Sequence, residues 1–153
     1  MNRWISRFLF ALTFVFAAGL FAPATFASTD GTPAEAKAMA IRAAELLRTK
    51  GPEVAFPEFD KSTAFHDRDL YVMVYDPTGK CVAHGANAKL IGKDLINFQD
   101  TDGTYVIKSL VAVKVAGWIN YRWAHPVTKK LTPKTTYVVH VGNYFVGVGA
   151  YKE

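Results

Sequence analysis

Apolar and polar positions follow three different rhythms along the chain, and each predicts a different kind of element. In the last third, Gly117 to Lys152, β-branched and aromatic residues fill three segments bounded by Gly, Pro or Asn. They read as strands over Gly117–Trp123, Pro133–Val141 and Tyr144–Tyr151, joined by turns into an antiparallel meander. Alternation sorts their faces: Ile119, Tyr121 and Trp123 share one side of the first strand, and Trp118, Asn120 and Arg122 the other. In the second strand Lys134, Thr136 and Val138 face away from Thr135, Tyr137 and Val139. Leu70–Tyr75 is instead apolar throughout, as in a central strand covered on both faces. Asp76-Pro77-Thr78-Gly79 then has the residues of a type I turn, and Cys81–His84 returns as the next strand.

The third rhythm is helical. Thr32-Pro33-Ala34-Glu35 forms a capping box with proline at the first helical position, predicting a helix from there to about Lys50, ended by Gly51-Pro52. Its interior is Ala-rich, with Met39, Ile41, Leu46 and Leu47. Val54–Phe59 is a short apolar segment broken by Pro57, and Asp60–Thr63 a polar turn. After the Gly85–Gly92 loop a short helix is expected at Lys93–Ile96. Thr104–Ala116 fits two patterns. Its β-branched content suits a strand, yet Val106, Leu110 and Val113 fall on one helical face, with Lys108 and Ser109 on the other. It is read as a helix capped by Asp102 and ended by Gly117.

The chain has 153 residues, half of them apolar and 14% aromatic, which suits one domain with a real core and excludes disorder. Met1–Ala27 has a basic start at Arg3 and Arg7, an apolar run over Phe8–Ala22 and small residues at Ala24 and Ala27. This is the pattern of a secretory signal peptide, with cleavage after Ala27 favoured over cleavage after Ala24, and in preference to a retained inner-membrane anchor. The expected division is a signal peptide at 1–27 and a single domain at 28–153, placed in the periplasm. Of the 18 basic side chains, Arg3 and Arg7 leave with that segment, so 16 stand against 13 acidic ones, a mild excess without a Lys/Arg run. Nucleic acid is therefore not an expected partner. Cys81 is the only cysteine, so no internal disulfide forms, and its apolar strand marks it as a small buried side chain.

Chemistry with recognisable spacing is scarce. No nucleophile elbow or Cys/His signature accompanies the four dispersed histidines His66, His84, His125 and His140. No phosphate-binding glycine motif occurs either, and Gly147-Val148-Gly149 sits inside a strand, where glycine allows close packing. Asp100-Thr101-Asp102-Gly103 resembles the start of a calcium loop but has Val111 where the twelfth-position Glu belongs, so helix capping is the better account. No catalytic residue, metal or cofactor is expected. What remains is a sheet face carrying Tyr121, Trp123, Lys134 and Tyr137, whose polar tips need partners when buried. Lys134 can meet a carboxylate, Tyr121 and Tyr137 can donate hydrogen bonds, and Trp123 can wall a pocket. Alternatively, Tyr121 and Trp123 are core aromatics and Lys134 snorkels to solvent.

The ordered motifs resemble a known family. They are Phe65-x-Asp67-Arg-Asp-Leu-Tyr-Val-x-Val-Tyr-Asp76, Gly79, Ala83-His84-Gly-Ala-Asn87, Leu90-Ile-Gly92-Lys93, Gly117-Trp-Ile-x-Tyr121-x-Trp123, Pro126, Pro133-Lys134-x-x-Tyr137 and Val146-Gly-Val-Gly149-x-Tyr151. From Thr32 to Lys152 the chain resembles the single Cache domain, the extracytoplasmic sensor module of bacterial chemoreceptors and histidine kinases. The resemblance implies an α+β, PAS-like fold: a central antiparallel sheet of about five strands with a long N-terminal helix and short flanking helices. It also implies a pocket for short organic acids such as acetate, propionate, lactate or pyruvate, to which Tyr121, Trp123, Lys134 and Tyr137 contribute. Tyr75, His84 and Phe65 are further candidate lining residues. Because Lys134 and Tyr137 differ in parity, a shared pocket needs a bulge at Thr135-Thr136, or Lys134 in the loop before the strand.

Receptor members continue into a second membrane span and a signalling domain, whereas this sequence stops at Glu153. The expectation is a free-standing exported binding or sensing domain whose output passes through a membrane receptor, kinase or transporter, with a homodimer through the N-terminal helices as a further expected association. The alternative is a non-catalytic interaction module with no ligand.

Overall fold

In a computed structural model, which describes residues 29–152, the capping box opens the chain's longest helix as its sequence requires. The Glu35 N–H donates to Thr32 Oγ1 at 3.3 Å and Glu35 Oε2 accepts from the Thr32 N–H at 2.7 Å. The leader expected at Met1–Ala27 lies outside the described residues. Helix α1 runs over Pro33–Lys50, and Gly51, at φ 77°, turns the chain directly into α2, Pro52–Lys61. This second helix replaces the short apolar segment expected at Val54–Phe59. Pro57 interrupts its ladder, which costs about 3 kcal/mol in a helix interior. Full burial of Phe59 and Ala55 contributes about as much in return, so packing holds the helix together.

A two-residue strand β1 (His66–Asp67) precedes β2 (Leu70–Tyr75), which is buried at every position as its unbroken apolar run demands. The turn at Asp76–Gly79 closes through the Gly79 N–H to Asp76 carbonyl bond at 3.0 Å, leading to β3 (Cys81–His84). No helix forms at Lys93–Ile96. That segment pairs with the backbone near β3: the Cys81 N–H donates to Lys93 O at 2.9 Å and the Leu95 N–H to Gly79 O at 3.0 Å. A 3-10 turn lies earlier, at Ala88–Leu90, capped by Asn87 Oδ1.

Helix α3 covers only Val106–Val111, not Thr104–Ala116, and its N-cap is Tyr105 without a side-chain bond. Asp102 pairs with Arg122 Nε at 2.9 Å instead of capping. Asp100 ties down the same loop, accepting from the backbone N–H of Asp102, Thr104 and Arg122 at 2.8–3.0 Å. The end of the expected helix is captured by the sheet. His140 donates its N–H to Val115 O at 2.8 Å, and β4 begins at Ala116. Strands β4 (Ala116–Ala124), β5 (Leu131–Val141) and β6 (Tyr144–Tyr151) form the expected meander.

The sheet is antiparallel in the order β1-β2-β6-β5-β4, with β3 pairing along the same edge of β2 as β1. One face packs against α1: Ala36, Met39, Ala40, Ala43 and Leu47 meet Val72, Val74, Val146, Val148 and Ala150. The small alanines let the helix lie close to the strands, so this face is dry and apolar. The opposite face carries Met73, Tyr75, Tyr121, Val138 and Phe145 under α3. Cys81 is buried there, and burial pushes its thiol up to about 12.

Candidate ligand-binding site

Polar side chains gather on the α3 side of the sheet because alternation in four strands aims them there. Tyr71 comes from β2, Tyr121 from β4, Lys134 and Thr136 from β5, and Tyr151 from β6. Register brings three of them into one row, with Tyr121 opposite Lys134 and Lys134 opposite Tyr151. Lys134 is the centre of the group. At 1% exposure it is among the largest fully buried side chains, and its Nζ donates to Tyr71 Oη at 2.7 Å. The bond spans a whole strand, since β6 lies between β5 and β2. Gly149 makes the crossing feasible: a Cβ there would stand 2.4 Å from Lys134 Cε and 2.2 Å from Thr136 Oγ1.

The hydroxyls beyond Lys134 form a directed chain. Tyr151 Oη donates to Ala124 O at 2.9 Å, so Tyr71, 3.2 Å away, donates to Tyr151 and accepts from Lys134. Lys134 Nζ also lies 4.0 Å from the Tyr71 ring centroid and 4.6 Å from that of Tyr151. One of its three N–H groups is engaged by Tyr71, and among the described residues no carboxylate comes within ion-pairing distance. Burial lowers the ammonium to about 7, an effect that Asp69, buried nearby, only partly opposes.

His84, at the end of β3, is 2% exposed and stacks 4.9 Å from Tyr71. Its Nδ1 accepts from the Asn87 N–H at 3.1 Å, which leaves the proton on Nε2, a buried atom without a hydrogen-bond partner. Burial, reinforced by Lys134, lowers this imidazole to about 3, so it is a neutral donor. Tyr71, His84, Asn87, Trp123, His125 and Pro126 wall a pocket of about 320 Å³, with Lys89 and Lys129 at its exposed rim. Trp123 meets Tyr121 edge-on at 6.0 Å and Phe98 at 5.2 Å. Tyr121 itself is hydrogen-bonded to Thr136 Oγ1 at 2.8 Å.

Lys134 and Tyr121 pair in register and line a neighbouring cavity with Asp100, Asp102, Arg122 and Lys152, Trp123 and His84 line the pocket beside Tyr71, and three other candidates lie elsewhere. Tyr137 faces α1, with the Lys37 ammonium 5.1 Å from its ring centroid and Trp118 packed edge-on at 5.0 Å. The pairing of β5 with both neighbours runs without a shift and Lys134 lies within the strand, so neither arrangement that would unite Lys134 with Tyr137 occurs. Phe65 packs on Phe59 at 5.0 Å in the core on the α1 side. Tyr75 shares the face of Tyr71 but is buried further along β2 and does not wall the pocket. Tyr71, Tyr151 and His125 are the contributors that sequence reasoning missed. Tyr71 had a usable signal, since its parity matches that of Tyr75.

Asp30, Asp69 and His125 place one ligand-type atom each within 4.8 Å of one another. The tautomer of His125 argues against a metal there. Its Nδ1 accepts from the N–H of Val127 and Thr128 at 3.2 and 3.3 Å, so Nε2 carries the proton and has no lone pair to offer. That Nε2 lies 3.6 Å from Asp30 Oδ1, as a donor facing a carboxylate.

The comparisons agree with this architecture. The profile of the family described as single Cache domain 2 matches residues 24–153. The sensor histidine kinase MctS of Rhizobium johnstonii is 31% identical over 92 residues, covering 58% of this chain and 20% of the kinase, so the match spans about a fifth of that relative. A methyl-accepting chemotaxis protein from Vibrio parahaemolyticus has a similar solved structure, with TM-score 0.68 and 22% identity over 77% of this chain and 86% of that one. A periplasmic sensor domain of a chemotaxis protein gives 0.63 and 21%, covering 78% and 90%. A third structure, described as the basis for carboxylic acid recognition by a Cache chemosensory domain, gives 0.62 and 26%, covering 78% and 88%. The fold is that of Cache sensor domains, and no helix among the described residues is long and apolar enough to cross a membrane. With the profile covering most of its length, the chain belongs to the single Cache domain 2 family.

Proposed function

We propose that this chain is a periplasmic binding domain for a short organic acid, working with a separate signalling or transport partner in the membrane. The observation that carries the reading is Lys134: a fully buried ammonium, hydrogen-bonded to Tyr71, with no carboxylate in contact among the described residues. Asp69, buried nearby, offsets the burial of this charge only in part, and a ligand carboxylate supplies a partner in direct contact. The neutral His84 Nε2–H and the two N–H groups of Lys134 not given to Tyr71 are donors, the complement of a carboxylate's acceptor oxygens. Trp123 bounds the apolar part of the acid. The reading is of binding without turnover. The carboxylic acid recognised by a related Cache domain and the kinase and chemoreceptor settings of other relatives support it.

A thermal-shift screen of the purified chain against short organic acids, amines and amino acids tests the proposal. At a hundredfold excess over the dissociation constant, a ligand stabilises by about 2.7 kcal/mol. The expected result is a shift by acids alone, abolished in Lys134→Met, which keeps the length of the side chain and removes its charge. A shift retained in that variant excludes Lys134 as the anion's partner. The second reading, an interaction module without a ligand, draws on the two aromatic rings and one hydroxyl that already surround Lys134. A flat response to the whole panel would favour it.

A further inference from the structure

The sheet ends at β4, and only part of that edge is covered. Strand order leaves β4 outermost, paired with β5 alone. The Arg122 N–H donates to Asp100 Oδ2 at 2.8 Å, away from β5, so by the period of two the backbone groups of Asn120, Trp118 and Ala116 also face outward. Val115 has the opposite parity, and its carbonyl accepts from the His140 N–H of β5. Around Arg122 the edge is closed by the Asp100–Asp102 loop, whose Asp102 also holds the guanidinium at 2.9 Å. The outer edge of β3 is closed too, by backbone bonds of Cys81 with Gly92 and Lys93. Over Ala116–Asn120 the outward groups have no backbone partner among the described residues, and Ala116, Trp118 and Asn120 are all exposed. The usual devices against strand addition are missing from this run. Ala-Gly-Trp-Ile-Asn has no charge and no proline, and the β4–β5 register runs without a bulge.

We infer that this open edge is a self-association surface, where β4 of a second copy of the chain adds antiparallel and continues the sheet. The inference does not depend on the ligand, and it places the contact on β4 rather than on the N-terminal helices. One register uses every free group. With the two-fold axis at Trp118, that residue stands opposite its own copy and Ala116 opposite Asn120, each pair exchanging both of its hydrogen bonds. Trp118, 42% exposed, then gains an aromatic partner across the axis. Charge favours the same arrangement. Lys114 precedes the open run, whereas the Arg122 end has the carboxylates of Asp100 and Asp102 around a single guanidinium. Antiparallel pairing sets Lys114 of each copy beside the Asp100–Asp102 loop of the other, so the basic end of the edge meets its net acidic end on both sides of the axis. Such a contact is satisfied by two copies and does not propagate.

Sedimentation velocity of the purified chain over a wide range of concentration tests the inference, and the wild type is expected to dimerise reversibly. Asn120→Pro breaks no bond within the sheet, because the lost N–H faces outward. It should weaken the dimer about tenfold or more, the effect of the hydrogen bonds lost on both sides of the axis. Trp118→Lys, which puts a charge on the edge, should do the same and decides the matter if the proline variant does not fold. Trp118→Cys supplies a positive signal. Opposite residues in such a pair have Cα atoms about 5.5 Å apart, within disulfide reach. Oxidation should therefore link two copies of this variant on a non-reducing gel, while the wild type, whose one cysteine is the buried Cys81, stays unlinked. A wild-type chain that is monomeric at every concentration would overturn the inference and leave the edge to an extended segment of a partner protein. A dimer that survives both edge substitutions would overturn it as well, and loss of that dimer in Ile41→Glu, on the exposed side of α1, would assign association to the helices.

Discussion

A buried lysine has two ways to lower its energy, losing its proton or gaining an anion, and Lys134 is balanced between them. Burial brings it to about 7, so its ammonium loses its charge as pH rises through neutrality. A carboxylate pairs with the protonated form alone, which makes binding above pH 7 cost a proton taken from solvent. Affinity is therefore expected to be level from about pH 5.5 to 7 and to fall about tenfold per pH unit above that, until the pKa of the liganded lysine is passed. Calorimetry at pH 8 in two buffers of different ionisation enthalpy should register uptake of close to one proton. An affinity unchanged between pH 6 and 9 would remove Lys134 from the binding step. This residue was singled out in the sequence by its place on an aromatic sheet face, where a lysine snorkelling to solvent was the alternative, and the structure buries it. Its partners Tyr71 and Tyr151 were not singled out, since pairing Lys134 with a strand two places away depends on how the strands are ordered.

At the scale of elements, β6 is the strand that makes the site, although its glycine contributes no side chain. Gly149 gives Lys134 its passage from β5 to β2. Gly149→Ala forces a methyl group into Thr136 and the lysine stem, and overpacking of this kind costs about 1–3 kcal/mol. Urea denaturation should show this loss, and the acid-induced thermal shift should shrink with it because the ammonium is displaced. Gly147→Ala is the control. Its added carbon would meet Thr136 Cγ2 at 3.1 Å and Met73 Cε at 3.2 Å, tight but less severe. Equal stability of the two variants would refute the crossing role of Gly149. Competition between elements also explains the misread segments. Thr104–Ala116 has a helical pattern, yet the hydrogen bonds offered by β5 through His140 outweigh the last turns of a short helix, and Lys93–Ile96 is drawn to the backbone beside β3 in the same way.

For the whole molecule, the two faces of the sheet divide the work: the α1 face holds the fold with apolar contacts, and the α3 face accepts buried polar groups. The second face has a cost at acid pH. His84 is lowered to about 3 by burial and by Lys134, against about 6.5 in the unfolded chain. Between these values the unfolded state binds more protons, so stability is lost as pH falls from about 6.5 toward 3. Glu35, lowered to about 2 chiefly by its bond to the Thr32 backbone, acts in the same direction from about pH 4.5 downward, weakly because it is exposed. Denaturation midpoints should decline over this range, and His84→Asn, which keeps an acceptor near the Nδ1 position, should flatten the decline. Identical slopes in both proteins would assign the acid sensitivity elsewhere. What the amino-acid sequence determined by itself is local: the capped first helix, the buried strand at Leu70–Tyr75, the closing meander and the facing of every residue within its strand. These follow from period, caps and turn residues, which act over a few positions. Only the tertiary structure decided that Tyr137 belongs to the α1 side while Lys134 reaches Tyr71. Parity separates residues within one strand, but the order β2-β6-β5 and the gap at Gly149 determine which strands can share a side-chain contact.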